Sequence, residues 1–260
     1  RIDDERLVSW RNWNQYGLTY DAARLNYSNN GWDLSVVGSY NNRRILFGAP
    51  SLTTNDYFTS VNRIKTQNFI HLRNKFSDEI SASVMVMGTG FASPENPDNI
   101  YLTGTYGLWA KGATDVFDIE VSASYQNGRA QTGKDVSAYM ASIHPGFKAG
   151  ALRIGAGLDY ISGDDAESSD YGEKEKTFNR FYGAVYKYLG YMNQFTYLKG
   201  STKNGGLMDI YPNLQLNLNG GHNLAAYYHI FSLANPVFVG EEVVDDKSLG
   251  SELDLKYVYK

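Results

Sequence analysis

Apolar side chains alternate with small or polar ones along most of this 260-residue chain. Successive side chains of a β-strand point to opposite faces, so this alternation predicts strands with one apolar and one polar face. Residues 79–86, 118–125 and 252–259 show the pattern most regularly. About eleven strands are predicted, over residues 20–28, 32–40, 67–75, 79–89, 100–111, 115–126, 137–147, 151–161, 207–217, 223–233 and 249–259.

The connections between these strands alternate in length. Short links rich in turn-forming residues lie at 29–31, 76–78, 112–114, 148–150 and 219–221, and long links lie at 41–66, 90–99, 127–136, 162–206 and 234–248. Short turns on one side and long loops on the other are typical of bacterial outer-membrane barrels. The predicted fold class is therefore an all-β, antiparallel transmembrane β-barrel.

The number of strands also bears on the domain organisation. An odd count, with a first strand that runs towards the periplasm, predicts a part of a larger barrel. Residues 1–260 are expected to form one barrel domain that is incomplete at both ends. Residues 162–206, whose middle could also form a helix, a hairpin or two further strands, are expected to form a large extracellular or constricting loop. Pro145 and Pro212 lie inside predicted strands, which counts against this interpretation unless each lies near a strand end or at a bulge.

Composition narrows the class of partner. The formal net charge is -4, which gives no broad basic surface, so nucleic acid is not an expected partner. The sequence holds no run of 18 apolar residues, so it predicts no transmembrane helix. The 21 tyrosines suit a surface that is apolar on one side and wet on the other, and the absence of cysteine agrees with an envelope protein.

Several short blocks carry a resemblance across nearly the whole chain. They include Ile2-Asp3-Asp4-Glu5-Arg6-Leu7-Val8 and Gly250-Ser251-Glu252-Leu253-Asp254-Leu255, with further blocks at 13–22, 120–128, 159–164, 177–183, 190–192 and 229–232. Their order and spacing resemble the alginate export family of outer-membrane porins, in its Bacteroidota branch. The resemblance implies a larger monomeric barrel whose lumen passes an anionic polysaccharide. That family's lumen is arginine-rich, whereas the polar faces here carry both signs of charge, so alginate itself is not predicted.

The polar faces supply the candidate site. Rings of opposite charge in a pore would select solutes by charge and size, and the alternative is that charges of both signs only pair with one another. Arg24, Arg73, Lys111 and Arg153 are the best candidates for contact with anions, because a guanidinium matches a carboxylate or sulfate. The twelve predicted pore-lining residues are Arg24, Asp33, His71, Arg73, Lys111, Asp118, Glu120, Arg153, Asp159, Asp209, Glu252 and Asp254.

Signals for chemistry are weak. Asp118 and Glu120 lie two apart on one strand face, roughly 7 Å from each other, a spacing that a glycosidase could use. Alternating charge in a lumen produces the same spacing, so no catalytic residue and no enzyme is predicted. The four histidines show no metal-binding spacing, and the acidic run 164–175 is more typical of a solvated loop than of a calcium site. No cofactor is expected.

The leading interpretation is a porin-like channel in the outer membrane of a Gram-negative bacterium. It would let polar solutes pass passively, with anionic saccharides as a candidate class, and its surroundings would be outer-membrane lipid. One alternative is a non-conducting barrel, a subunit or scaffold of a larger envelope assembly with protein partners, plugged by residues 162–206. Another is a soluble all-β carbohydrate-binding domain, which would bury its apolar faces against a second layer.

Overall fold

The computed structural model describes residues 2–9, 21–40, 64–93, 99–184 and 187–259. These residues form one antiparallel sheet of eleven strands, in which each strand pairs with the next along the chain, and a separate two-stranded hairpin. The sheet contains β1 Ala23–Asn29, β2 Trp32–Gly38, β3 Ile64–Lys75, β4 Ile80–Ala92, β5 Ile100–Ala113, β6 Phe117–Arg129, β7 Asp135–Ala149, β8 Leu152–Ile161, β9 Leu207–Asn217, β10 His222–Ser232 and β13 Ser248–Tyr259; the hairpin is β11 Val237–Val239 and β12 Glu242–Val244.

The eleven predicted strands are confirmed, and no end moves by more than three residues. Tyr20, the predicted start of the first strand, and residues 41–63 of the first long link lie outside the described residues. Strands β3 to β10 and β13 are 10 to 15 residues long, enough for a tilted strand to cross the hydrocarbon of a bilayer. Strands β1 and β13 form the two edges of the sheet, which is not closed.

One face of the sheet, the outer face, is apolar and exposed. Leu25, Leu108, Leu253 and Leu255 are between 61% and 72% exposed, and valine, isoleucine and tyrosine side chains continue this surface from strand to strand. A contiguous apolar surface of this extent is rare on a soluble monomer. The expectation that the apolar side chains point away from the interior is confirmed, and the packed second layer of a soluble sandwich is not seen on this face in the described residues.

The opposite, inner face carries polar side chains that are buried. Asp159, Asp209 and Gln126 are at most 1% exposed, although they lie on a sheet with only one side covered by protein. Two parts of the chain cover them: residues 2–9, called the N-terminal segment, and residues 162–206, called the inner loop. Val8 packs on Phe69 and Met85, while Phe178, Leu189, Phe195 and Leu198 of the inner loop pack on apolar side chains of β7 to β10.

Outside the sheet the described chain forms little regular structure. The described part of the inner loop contains one short helix, α1 Leu198–Ser201, and Asn219–Gly221 form a single 3-10 turn between β9 and β10. Residues 162–184 and 187–206 form no strand, so the loop interpretation of this stretch fits the fold, while its extracellular position stays a prediction. No helix in the described parts of the chain is long and apolar enough to span a membrane.

Two details differ from the sequence-based expectation. The long link 234–248 contains the hairpin β11–β12, in which Gly240 adopts a positive φ of 67° at the turn. Pro145 and Pro212 do not lie at strand ends. Each lies within its strand at an interruption of one ladder, between Ile143 and Gly146 on the β8 side and between Ile210 and Asn213 on the β10 side. Both prolines remain paired on their other side, where no N–H is required of them.

Candidate functional site

The strand register places all twelve predicted pore-lining residues on the inner face. Direct partners across neighbouring strands include Asp33 with Arg73, Lys111 with Glu120, and Asp159 with Asp209. Because side chains alternate between faces with a period of two, residues paired directly across strands share a face. Their common face is therefore established, whereas their contact with a passing solute stays a prediction.

Arg153 on β8 is the most tightly engaged of the four candidate anion-binding cations. Its Nη2 donates to Asp118 Oδ1 at 2.6 Å and its Nε donates to Asp118 Oδ2 at 2.9 Å, which is a two-pronged guanidinium–carboxylate pair. Its Nη1 donates to Asn213 Oδ1 at 2.9 Å. The pairing occupies both the arginine and one member of the Asp118–Glu120 carboxylate pair.

The other three candidate cations are less engaged than Arg153. Arg24 is exposed and donates only to neutral oxygens, of Asn26 at 2.7 Å and Ser35 at 3.0 Å. The Arg73 guanidinium lies 5.0 Å from the centre of the Trp109 ring, and Lys111 is exposed on β5. Within the described residues none of the three forms an ion pair. The inner face thus carries cations without an ion-pair partner on β1, β3 and β5, although Asp33 and Glu120 lie on the strands directly across from Arg73 and Lys111.

The N-terminal segment adds functional residues that sequence reasoning missed. Arg6 is 4% exposed, its Nη2 lies 2.7 Å from Asp159 Oδ1, and its guanidinium lies 3.6 Å from the centre of the Tyr188 ring. It also contacts the His144 ring, with Nη2 3.1 Å from Nε2. This arginine therefore joins the N-terminal segment, the sheet and the inner loop. The signal that could have found it is a charged run, residues 3–6, placed directly before apolar Leu7.

A second set of contacts fixes the start of the same segment. Asp3 Oδ2 accepts a hydrogen bond from Ser83 at 2.7 Å and lies 2.8 Å from His71 Nε2. On the neighbouring strands, Trp109 Nε1 donates to Glu120 Oε1 at 2.8 Å. The structure thus gives separate partners to Asp118 and Glu120, which the spacing had suggested as a carboxylate pair.

The inner loop is held on β13 by two carboxylates. The backbone N–H of Tyr191 donates to Asp254 Oδ2 at 2.9 Å, and that of Met192 donates to Glu252 Oε1 at 2.7 Å. Leu189 and Gly190 precede them with φ of 66° and 80°. Successive backbone N–H groups after such residues form a concavity that binds anions. A Cβ at Gly190 would lie 2.3 Å from Glu252 Oε2 and would displace that carboxylate, and the positive φ favours glycine as well.

Asp209 of β9 and His229 of β10 form a pair next to the β13 carboxylates that hold the inner loop. His229 Nδ1 lies 2.8 Å from Asp209 Oδ2, and its Nε2 lies 3.6 Å from Asp254 Oδ2. Asp209 and His229 are almost completely buried. Buried carboxylates are stable in proteins only when paired or hydrogen-bonded, which is the role that the imidazole fills here.

Part of the acidic run of the inner loop is paired within the protein. Lys176 Nζ lies 2.6 Å from Asp170 Oδ1, and Asp164 accepts hydrogen bonds from the backbone of Asp165 and Gly172. The Lys176 ammonium and the Ser168 hydroxyl lower the pKa of Asp170 to about 2. Among the described residues, no group of three or more potential metal-ligating side chains comes together.

Eleven strands in sequential antiparallel order, an exposed apolar face and a charged inner face define the architecture of a transmembrane β-barrel. The solved structures that are similar belong to outer-membrane porin barrels. OccK5 (OpdH) of Pseudomonas aeruginosa matches with a TM-score of 0.57 and 11% identity, over 99% of this chain and 64% of that one. OccK11 (OpdR) of the same organism gives 0.56 and 12%, over 90% and 60%.

A third neighbour, OccK3 (OpdO) of Pseudomonas aeruginosa, gives a TM-score of 0.52 and 14% identity over 91% of this chain and 57% of that one. The chain thus spans between 57% and 64% of the length of these three structures. No protein-family model matches the sequence, and the search of curated proteins gives no match. The comparisons show the fold alone. The resemblance to the alginate export family stays a prediction.

Proposed function

We propose that this chain forms part of a passive outer-membrane channel for small polar solutes in a Gram-negative bacterium. The observation that carries the proposal is the inversion of its two faces: leucines on the outer face are up to 72% exposed, while charged side chains such as Arg24, Lys111 and Arg153 lie on the inner face. An apolar belt facing lipid and a polar, hydrated interior are the requirements for a spanning barrel. The similarity to porin barrels supports the same function.

The free cations of the inner face favour anionic solutes, with anionic saccharides as the candidate class. Arg24, Arg73 and Lys111 make no ion pair within the described part of the chain, so their charge is available to a passing carboxylate or sulfate. Arg153 is a weaker candidate, since Asp118 already holds its guanidinium. The proposal therefore rests on three of the four cations predicted from the sequence.

Planar-bilayer recording of the refolded full-length protein tests the channel. Stepwise current is expected, and a barrel shown to be intact by heat-modifiable gel migration that passes no current would overturn the proposal. Reversal potentials in a KCl gradient test the solute class. Replacing Arg24, Arg73 and Lys111 by glutamine should shift the selectivity towards cations, whereas Lys203→Gln, on the inner loop, should not. Equal shifts in both variants would remove the role of the three cations.

One observation favours a second candidate function, a non-conducting barrel that serves as a scaffold. The N-terminal segment and the inner loop both pack on the inner face, through Arg6 and through the carboxylates of β13. Contacts of this kind would plug a lumen if they filled its whole cross-section. Deletion of residues 187–199 should then raise the conductance from zero. A wild-type protein that already conducts would exclude this alternative.

A further inference from the structure

A cavity of about 330 Å³ lies where the inner loop meets the ends of β4, β5, β6 and β7. Its size falls at the lower end of the range of small-molecule sites, about 300–1,000 Å³. It is lined by residues of these strands, by residues 130–132 of the link between β6 and β7, and by inner-loop residues within 175–181 and 197–199. It lies apart from the ion pairs that Arg6 and Arg153 make, and none of the residues predicted to line a pore contributes to it.

Three aromatic rings line this cavity. The rings of Phe91 and Phe181 lie 5.5 Å apart at an angle of 45°, and Phe91 is buried. Tyr197 of the inner loop is 71% exposed although it lines the same space. Aromatic faces of this kind pack against flat, partly apolar surfaces, and a tyrosine adds a hydroxyl at the edge. A ligand with an apolar face would therefore find a complementary wall.

Uncharged hydrogen-bonding groups lie beside these rings. Gln126 holds Asn179 in place, because its Nε2 donates to the Asn179 carbonyl at 2.8 Å and its Oε1 accepts from the Asn179 N–H at 2.9 Å. The side-chain oxygen of Asn179 accepts from the Phe181 N–H at 3.0 Å. Within the described residues, the side-chain amide nitrogen of Asn179 therefore has no protein partner. In the same part of the chain, the Thr132 hydroxyl has none either. Both groups can therefore serve a ligand.

The charge of the lining is balanced. The two charged side chains that line the cavity in the described part of the chain, Glu175 and Lys199, form an ion pair with Nζ and Oε2 2.7 Å apart. The two charges attract each other strongly at this distance, so a charged ligand would have to displace one of them from its partner. The lining thus favours a ligand without net charge.

We propose that this cavity binds the ring of a neutral sugar. A hexopyranose offers a face of C–H groups to Phe181 and Tyr197, and its hydroxyls can accept from the Asn179 amide and exchange hydrogen bonds with Thr132. The inference goes beyond passage through the channel. It assigns a solute-binding site for uncharged saccharide beside the cations that favour anions, so the two solute classes would meet different parts of the inner face.

Saturation-transfer NMR on the full-length protein in detergent tests the site, with glucose and glucuronate as probes. Glucose is expected to bind, and glucuronate no more tightly than glucose. Tyr197→Ala should lower the affinity for glucose about three- to tenfold, as expected for one aromatic contact. Tyr171→Ala is the matched control, since this tyrosine of the same loop packs on Phe238 with ring centres 5.0 Å apart and does not line the cavity.

The outcomes separate this site from the channel itself. No transfer to glucose, tighter binding of glucuronate, or equal losses in Tyr197→Ala and Tyr171→Ala would each overturn the sugar site. Because Tyr197 is exposed, its truncation leaves the packing of the sheet intact, and an unchanged heat-modifiable migration verifies this. Conductance of the wild-type protein is measured in parallel. A conducting protein that binds no glucose would refute the site and leave the proposed channel standing.

Discussion

Arg6→Ala should destabilise the protein by about 3 kcal/mol, because it leaves a buried carboxylate without its main partner. Asp159 is 1% exposed and lies 2.7 Å from the Arg6 guanidinium. Removal of one member of a buried ion pair costs about 3–5 kcal/mol in other proteins. The His144 ring and the Tyr211 hydroxyl, at 3.2 and 3.4 Å, still contact the carboxylate, so the loss should fall at the lower end.

Guanidinium chloride unfolding in detergent, followed by tryptophan fluorescence, measures this loss. Arg24→Ala is the control, because the exposed Arg24 donates only to neutral oxygens and should change the free energy of unfolding by about 0.5 kcal/mol or less. The double variant Arg6→Ala, Asp159→Asn should recover at least about 1 kcal/mol relative to the sum of the single losses, since it removes the uncompensated charge. Additive single effects, or Arg6→Ala indistinguishable from Arg24→Ala, would refute the reasoning.

Two further predictions concern the inner loop. Gly190→Ala should expose this loop to proteases more than Gly172→Ala does. Both glycines have a positive φ, but only a Cβ at 190 would meet a carboxylate, 2.3 Å from Glu252 Oε2. Equal cleavage of the two variants within residues 187–199 would show that this contact does not hold the loop. Asp170 should titrate with a midpoint of about 2 in a carbon-13 NMR titration. Because its pKa is lowered on folding, the Asp170–Lys176 contribution is complete above the ordinary value of 3.8 and is lost as the pH falls towards about 2. Lys176→Gln should raise the midpoint, and an unchanged midpoint would contradict the assignment.

The strands could be predicted because their signal is local. A residue such as Leu253, between Glu252 and Asp254, reveals its face from its immediate neighbours, and the register then carries the same face to the next strand. The hairpin β11–β12 was missed although Val237–Val239 and Glu242–Val244 flank a Gly240 turn, because three-residue strands are too short for alternation to be counted.

The contacts inside the site could not be predicted in the same way. Arg6 and His144 are 138 positions apart in the sequence, and Asp3 and His71 are 68 apart, so no local pattern links them. The sequence indicated that Arg153 faces the interior but not that Asp118 binds it, because that pair spans β6 and β8 through a strand lying between them. Face assignment follows from periodicity, whereas partner choice follows from the curvature and packing of the complete sheet.

The partners of Arg6 have a consequence for the order of assembly. Arg6 contacts His144 of β7 and Asp159 of β8, and Tyr211 of β9 contacts both of these side chains, so the docking surface is complete only after three consecutive strands have paired. The N-terminal segment can dock only on that finished surface, although it precedes the three strands in the sequence. Interactions that form after the folding transition state slow unfolding without speeding folding. Arg6 should therefore prolong the lifetime of the native protein while leaving its rate of insertion unchanged.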